Sequence, residues 1–266
     1  MGPDTGRVGG ILTNKGLVCL LVLWLALGAR LVFAAPEPVG KLEWLQGSVA
    51  VEREGYSGPA AVGDPVYLLD KWQTEDDSGA ELVFVDESRI RMGPKASLEI
   101  TEYLYQPQEK SRDSLISMVA GKARVLVQDL QDYKQKRFRV QTQTAVVGTR
   151  GTEFIVWIIS PTVTRVLGIT NDIEFCNARL PGACVTVAPH MTSETHANVA
   201  PTPPSVAPPQ VYQEIIRGVE PAPQPSPPVQ APADPVKTIQ APPPPDVVPP
   251  AITQNYDPTA SVTTGK

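Results

Sequence analysis

Apolar and polar positions alternate in short runs along the middle of the chain, and a period of two is the mark of a strand with one face buried. Residues 42–53 carry this period, with Gly47 as a bulge or bend inside the run. Residues 66–69 follow a Val62-Gly63-Asp64-Pro65 turn. Residues 80–85 and 89–92 predict a hairpin about Asp86-Glu87-Ser88, and residues 97–105 a further strand. The charged stretch 106–113 is expected to be an exposed excursion. Residues 115–119 and 123–127 are expected to pair about Ala120-Gly121-Lys122, and 129–137 to be solvated. Runs at 163–169, 173–176 and 185–187 complete the series. No long amphipathic helix interrupts it, so the pattern predicts an all-β domain, with a sandwich, a roll and a solenoid all open.

The sharpest corner lies within residues 138–157, FRVQTQTAVVGTRGTEFIVW. Val140, Thr142 and Thr144 alternate with Gln141, Gln143 and Ala145; after the corner, Phe154 and Val156 alternate with Ile155 and Trp157. Between them stands Gly148-Thr149-Arg150-Gly151-Thr152, where glycine reaches φ values that other residues adopt only under strain. Arg150 and Thr152 are the polar side chains there with hydrogen-bonding reach. An arginine fork carries five donors and can hold several carbonyls at once. Arg150 is therefore expected to staple the corner to its surrounding loops, with Arg150→Ala lowering thermal stability. The alternative is a ligand-binding pair, Arg150 and Thr152.

The order Gly47-Ser48-Val49, Val62-Gly63-Asp64, Thr74, Ser78-Gly79-Ala80-Glu81-Leu82, Phe84, Ser88-Arg89-Ile90-Arg91-Met92, Gly121-Lys122-Ala123 and Arg150-Gly151-Thr152-Glu153-Phe154 resembles the FecR domain, over residues 40–188. Such domains occur in the periplasmic half of iron-uptake signalling proteins and in stand-alone exported proteins. The resemblance implies a solenoid-like or roll-like all-β fold built from short strands. It also implies a non-catalytic extracytoplasmic binding or sensing module of the cell envelope. In the signalling members a cytoplasmic segment restrains a sigma factor. Here at most fifteen residues precede the first apolar run, so that segment is not expected. The alternative is a structural envelope spacer that uses a Pro-rich tail.

Composition divides the chain. Of 29 prolines, 19 lie after Val199, so residues 197–266 read as a disordered Pro-rich tail behind a FecR-like domain at 40–196. One island in the tail, VYQEIIRGV at 211–219, reads either as a segment that returns to the domain or as a sticky piece of linker. Residues 1–34 read as a signal peptide: Arg7 and Lys15, an apolar run at 16–29, and Val32-Phe33-Ala34 before the cut. An uncleaved N-terminal membrane anchor is the alternative. The expected location is periplasmic or secreted. A formal net charge of −5 argues against a general nucleic-acid binder.

Candidate chemistry is sparse. Cys176 and Cys184 flank a Pro181-Gly182 turn signal, and an oxidising compartment makes them a candidate structural disulfide. Free thiols are the alternative; a metal site would need further ligands, and His190 and His196 are spaced unlike one helix face. No GxSxG, HExxH, phosphate loop or dinucleotide fingerprint is present, so no enzyme activity, metal or cofactor is expected. The acidic pairs Asp76-Asp77 and Asp86-Glu87 read as solvated turn charges. Lys134, Lys136, Arg137 and Arg139 read as a solvated sheet edge, or as a contact for anionic polymer. Trp44, Trp72 and Trp157 are expected in the core, with carbohydrate stacking as the alternative for any one of them. The expected partner is an envelope protein or polymer, not nucleic acid, with the membrane met only through an uncleaved N-terminal segment.

Overall fold

The period-two runs become seventeen strands, with one helix among the described residues. The computed structural model describes Gly2 and residues 36–220; the expected signal peptide and residues 221–266 lie outside them. In the first sheet, β1 (Gly40–Gln46) pairs with β6 (Gly79–Phe84), β6 with β7 (Arg89–Met92), and β7 with residues 123–126 of β9 (Ser111–Leu126). The sheet continues through β12 (Glu153–Ser160), β13 (Val163–Thr170), β16 (Met191–His196) and β17 (Ser205–Val206). The two-residue β4 (Pro65–Val66) closes its other edge.

The second sheet runs β3 (Tyr56–Pro59), β2 (Val49–Arg53), β5 (Lys71–Thr74), β8 (Ser97–Gln106), then the first part of β9. It continues through β10 (Gln135–Gln141), β11 (Ala145–Thr149), β14 (Ile173–Asn177) and β15 (Cys184–Val187). Only β9 and β10 pair in parallel among these named strands. The chain crosses repeatedly between the sheets, so successive strand pairs stack along the domain in the manner of a solenoid. The all-β, roll-like expectation therefore holds.

One parity of each strand points inward. Leu82, Ile90, Val125, Val156 and Val166 of the first sheet share one buried cluster with Trp72, Leu98, Ile116, Phe138 and Val147 of the second. Full burial of such side chains contributes roughly 1.5–3 kcal/mol apiece before ordering entropy is subtracted. Outward residues on the first sheet are charged and paired across strands, as in Glu43–Arg89–Glu81–Arg91 and Arg124–Glu153.

Three elements differ from the pattern. Residues 115–119 and 123–127 do not pair with each other. They are one strand, β9, that passes from the second sheet to the first at Gly121. Gly121 sits at φ +80°, and a Cβ there would stand 2.6 Å from the Lys95 carbonyl oxygen and closer still to Ala96. Each half of β9 gains two outside partners, which a hairpin of the halves would forgo. Second, the alternating run after Phe138 is a hairpin of β10 and β11. Thr142 N–H donates to the Ala145 carbonyl, and the Thr142 and Thr144 hydroxyls both meet Thr164 Oγ1 (2.8 and 2.7 Å). Third, the folded unit runs past the expected boundary at 196. Residues 197–220 include β17 and α1 (Pro209–Ile216), and Ala207, Ile215 and Val219 pack on Ile155 and Leu167 of β12 and β13. Proline is no obstacle here, because Pro209 occupies the first turn of α1, where no amide donor is required.

Candidate binding groove

A groove of about 550 Å³ opens on the outer face of the first sheet. β1 supplies Trp44, β7 supplies Arg91, the bend of β9 supplies Lys122 and β12 supplies Trp157; the segment after α1 closes one side with Arg217, Gly218 and Glu220. Arg91, Lys122 and Trp157 have the outward parity of their strands, and Trp44 reaches this face through a bulge in β1 between Leu42 and Trp44, which shifts the register against β6. Gly79 lies under Trp44, where a Cβ would stand 2.9 Å from the ring.

Both indoles are half-buried and carry cations. The Arg91 guanidinium carbon lies 3.8 Å from the Trp44 ring centroid, and its Nη1 donates to Glu81 Oε2 at 3.1 Å. Lys122 Nζ lies 4.5 Å from the Trp157 ring centroid, with Arg165 also close at 5.6 Å. Such contacts are worth about 0.5–2 kcal/mol each, more as water is excluded. Lys122 Nζ donates to the carbonyls of Glu214 (2.7 Å) and Arg217 (3.2 Å), the last carbonyls of α1 and its cap. Burial pushes this ammonium below the usual lysine value. Of the three tryptophans expected in the core, only Trp72 is fully buried there. Trp44 and Trp157 are each already engaged by a cation of the chain itself.

Arg150 and Thr152 do not form a site together. Arg150 is exposed, and its side chain makes no hydrogen bond among the described residues. Thr152 is buried, its hydroxyl 3.4 Å from Thr170 Oγ1. The staple expected of Arg150 is made by another arginine. Arg112, fully buried, donates Nη1 to Asp86 Oδ2 and the Gln128 carbonyl (both 2.9 Å), and Nη2 to the carbonyls of Lys136 and Arg150 (both 3.2 Å). Arg150 thus takes part through its backbone oxygen. Asp86 also accepts from Tyr103 Oη at 2.7 Å and Ser88 Oγ at 2.8 Å. Burial, then the Asp86 charge, pushes the Tyr103 phenol far above its usual value. Asp86 is therefore a buried anchor, not a solvated turn charge. The signal for Arg112 was parity: it shares the inward side of β9 with Ser114, Ile116 and Met118.

Cys176 and Cys184 stand directly opposite on β14 and β15 and are bonded, with Cα atoms 4.0 Å apart. His190 lies against Tyr212, and His196 Nε2 is 3.0 Å from Glu194. In the basic run, Lys136 pairs with Asp129, while Arg137 and Arg139 share Asp113.

Residues 70–171 match the model of the family described as FecR protein. Over these residues the chain is similar to FecR proteins. The match runs from the turn before β5 to the end of β13, so Arg91, Arg112, Lys122, Arg150 and Trp157 lie inside it, and Trp44 and α1 outside. Two crystal structures of a candidate anti-sigma factor from Parabacteroides distasonis ATCC 8503 are similar to this chain, with TM-scores of 0.41 and 0.40 and 16% identity. The matches cover 52% and 51% of this chain, which spans about 60% and 59% of theirs. No curated protein matches the chain.

Proposed function

We propose that this protein is a non-catalytic, extracytoplasmic binding and sensing module of the cell envelope, and that its partner, an envelope protein or polymer, is held in the groove between Trp44 and Trp157. The observation that carries this reading is the chemistry of the lining. Arg91, Lys122 and Arg217 stand there against Asp77 and Glu220 on an otherwise ion-paired outer face. Fixed cations and half-buried indoles are the groups that anchor partners at interfaces. Asp86 is engaged with Arg112, Asp76 with Lys95 and His196 with Glu194. Cys176 and Cys184 are bonded to each other, so neither is a free nucleophile.

A photo-crosslinking residue placed at Gln46, in the groove, tests the reading in intact cells. A control at Gln73, exposed on the second sheet, reports collisions. A discrete adduct at Gln46, absent at Gln73 and lost when Trp44→Ala is added, is the expected result. Equal adducts at both positions, or none at Gln46, would refute the groove as the partner site.

A further inference from the structure

Ile155 and Leu167 lie on the outward parity of β12 and β13, opposite to Phe154, Val156 and Val166 of the core, yet both are fully buried. What covers them is the chain's own C-terminal segment, through Ala207, Ile215 and Val219. The covering helix is weak by itself. It has eight residues, no side-chain cap at its N-terminus and no basic residue in its last turn. A helix this short is not stable alone in water. Its missing C-terminal cation comes from the sheet: Lys122 Nζ holds the Glu214 and Arg217 carbonyls while lying over Trp157. The seat is shaped to fit, since a Cβ on Gly93 would stand 2.9 Å from Val219 Cγ1 and 3.1 Å from the Gly218 carbonyl oxygen. The same segment supplies Arg217, Gly218 and Glu220 to the groove. Residues 221–266, rich in proline, follow immediately.

We propose that residues 205–220 are a displaceable strap, latched by Lys122, whose release removes one wall of the groove and uncovers the apolar strip of Ile155 and Leu167. The groove is whole only while the strap is seated. Occupancy of the groove and docking of the strap then reinforce each other by the same factor, as linkage requires. The proposal goes beyond the groove's being a partner site, and its test needs no partner.

The test is amide hydrogen exchange on the full chain, wild type against Lys122→Met and Gly93→Ala. The amides of Tyr212, Arg217 and Val219 are bonded within the strap and report its seating. Loss of a charged donor or of the seat is expected to speed their exchange by about tenfold or more, given the strength of hydrogen bonds to charged groups. Val125 and Val156, in the strands beneath, are expected to exchange as in the wild type. Trypsin is expected to cut after Arg217 faster in both variants by a similar factor. The proposal is overturned if both variants leave the strap amides protected as in wild type. It is equally overturned if the strap and strand amides loosen together, because the segment would then be an inseparable part of the sheet. Either result would leave the crosslinking outcome at Gln46 to be judged separately.

Discussion

Replacing Arg112 by methionine removes a guanidinium from the centre of a buried network and leaves a side chain of similar length. The Arg112 and Asp86 side chains are both 0% exposed and 2.9 Å apart, so the variant strands a carboxylate where water cannot reach it. Breaking a buried pair in this way costs about 3–5 kcal/mol. The carbonyls of Gln128, Lys136 and Arg150 lose their shared donor at the same time. For a domain of this size, about 2–4 °C of melting temperature goes with each kcal/mol, which places the fall at roughly 6–20 °C. Equilibrium denaturation followed by tryptophan fluorescence measures the free energy, and thermal circular dichroism the midpoint. Adding Asp86→Asn to the variant removes the stranded charge and is expected to restore about 1–2 kcal/mol. Arg150→Ala, by contrast, trims an exposed side chain that makes no hydrogen bond among the described residues, and a change within about 0.5 kcal/mol is expected. A loss below about 1 kcal/mol for Arg112→Met, or an equal loss for Arg150→Ala, would refute the assignment of the staple.

Gly121→Ala is expected to destabilise the domain by on the order of 2–4 kcal/mol, because φ is positive there and the added carbon meets backbone; a denaturation midpoint equal to wild type would show that the bend of β9 can relax. Tyr103 has a phenol pKa raised above the ordinary 10.0, so its contribution is fully present below pH 10.0 and is lost as pH rises toward the folded value. Tyr103→Phe should therefore flatten the alkaline fall in stability above that pH, and an unchanged slope in a pH series of melts would count against it. Replacing Cys176 and Cys184 by alanine opens a short loop, with a sequence separation of 8, and an entropic loss of about 2–3 kcal/mol is expected in denaturant titrations under oxidising conditions. Under reducing conditions the wild type and this variant should converge; a persistent gap would assign the loss to packing.

The outward cations Arg91 and Lys122 were present in the sequence as residues of the FecR-like pattern, but nothing along the chain placed them beside Trp44 and Trp157. Their separation in sequence is closed by strand register: Trp44 pairs with Glu81, Glu81 with Arg91, and Lys122 with Trp157. Register is a property of partners, and a period of two cannot name the partner strand. Arg112 was missed because its neighbours at 106–113 are charged, so composition outweighed parity. Arg150 was favoured because it sits at a glycine corner, yet the corner needs only its carbonyl. The segment at 197–220 was hidden by proline content, although Val211, Ile215, Ile216 and Val219 carry enough apolar surface to seal a sheet face that awaits them.

Local pattern by itself determined the all-β class and most strand positions, because alternation and turn residues act over a few bonds' length. Tertiary structure decided which arginine is the staple, that Cys176 and Cys184 are bonded, that residues 205–220 pack on the sheet and that a groove exists. Those depend on which distant strands lie side by side, and on whether a charged group can find its counter-charge once water has been excluded.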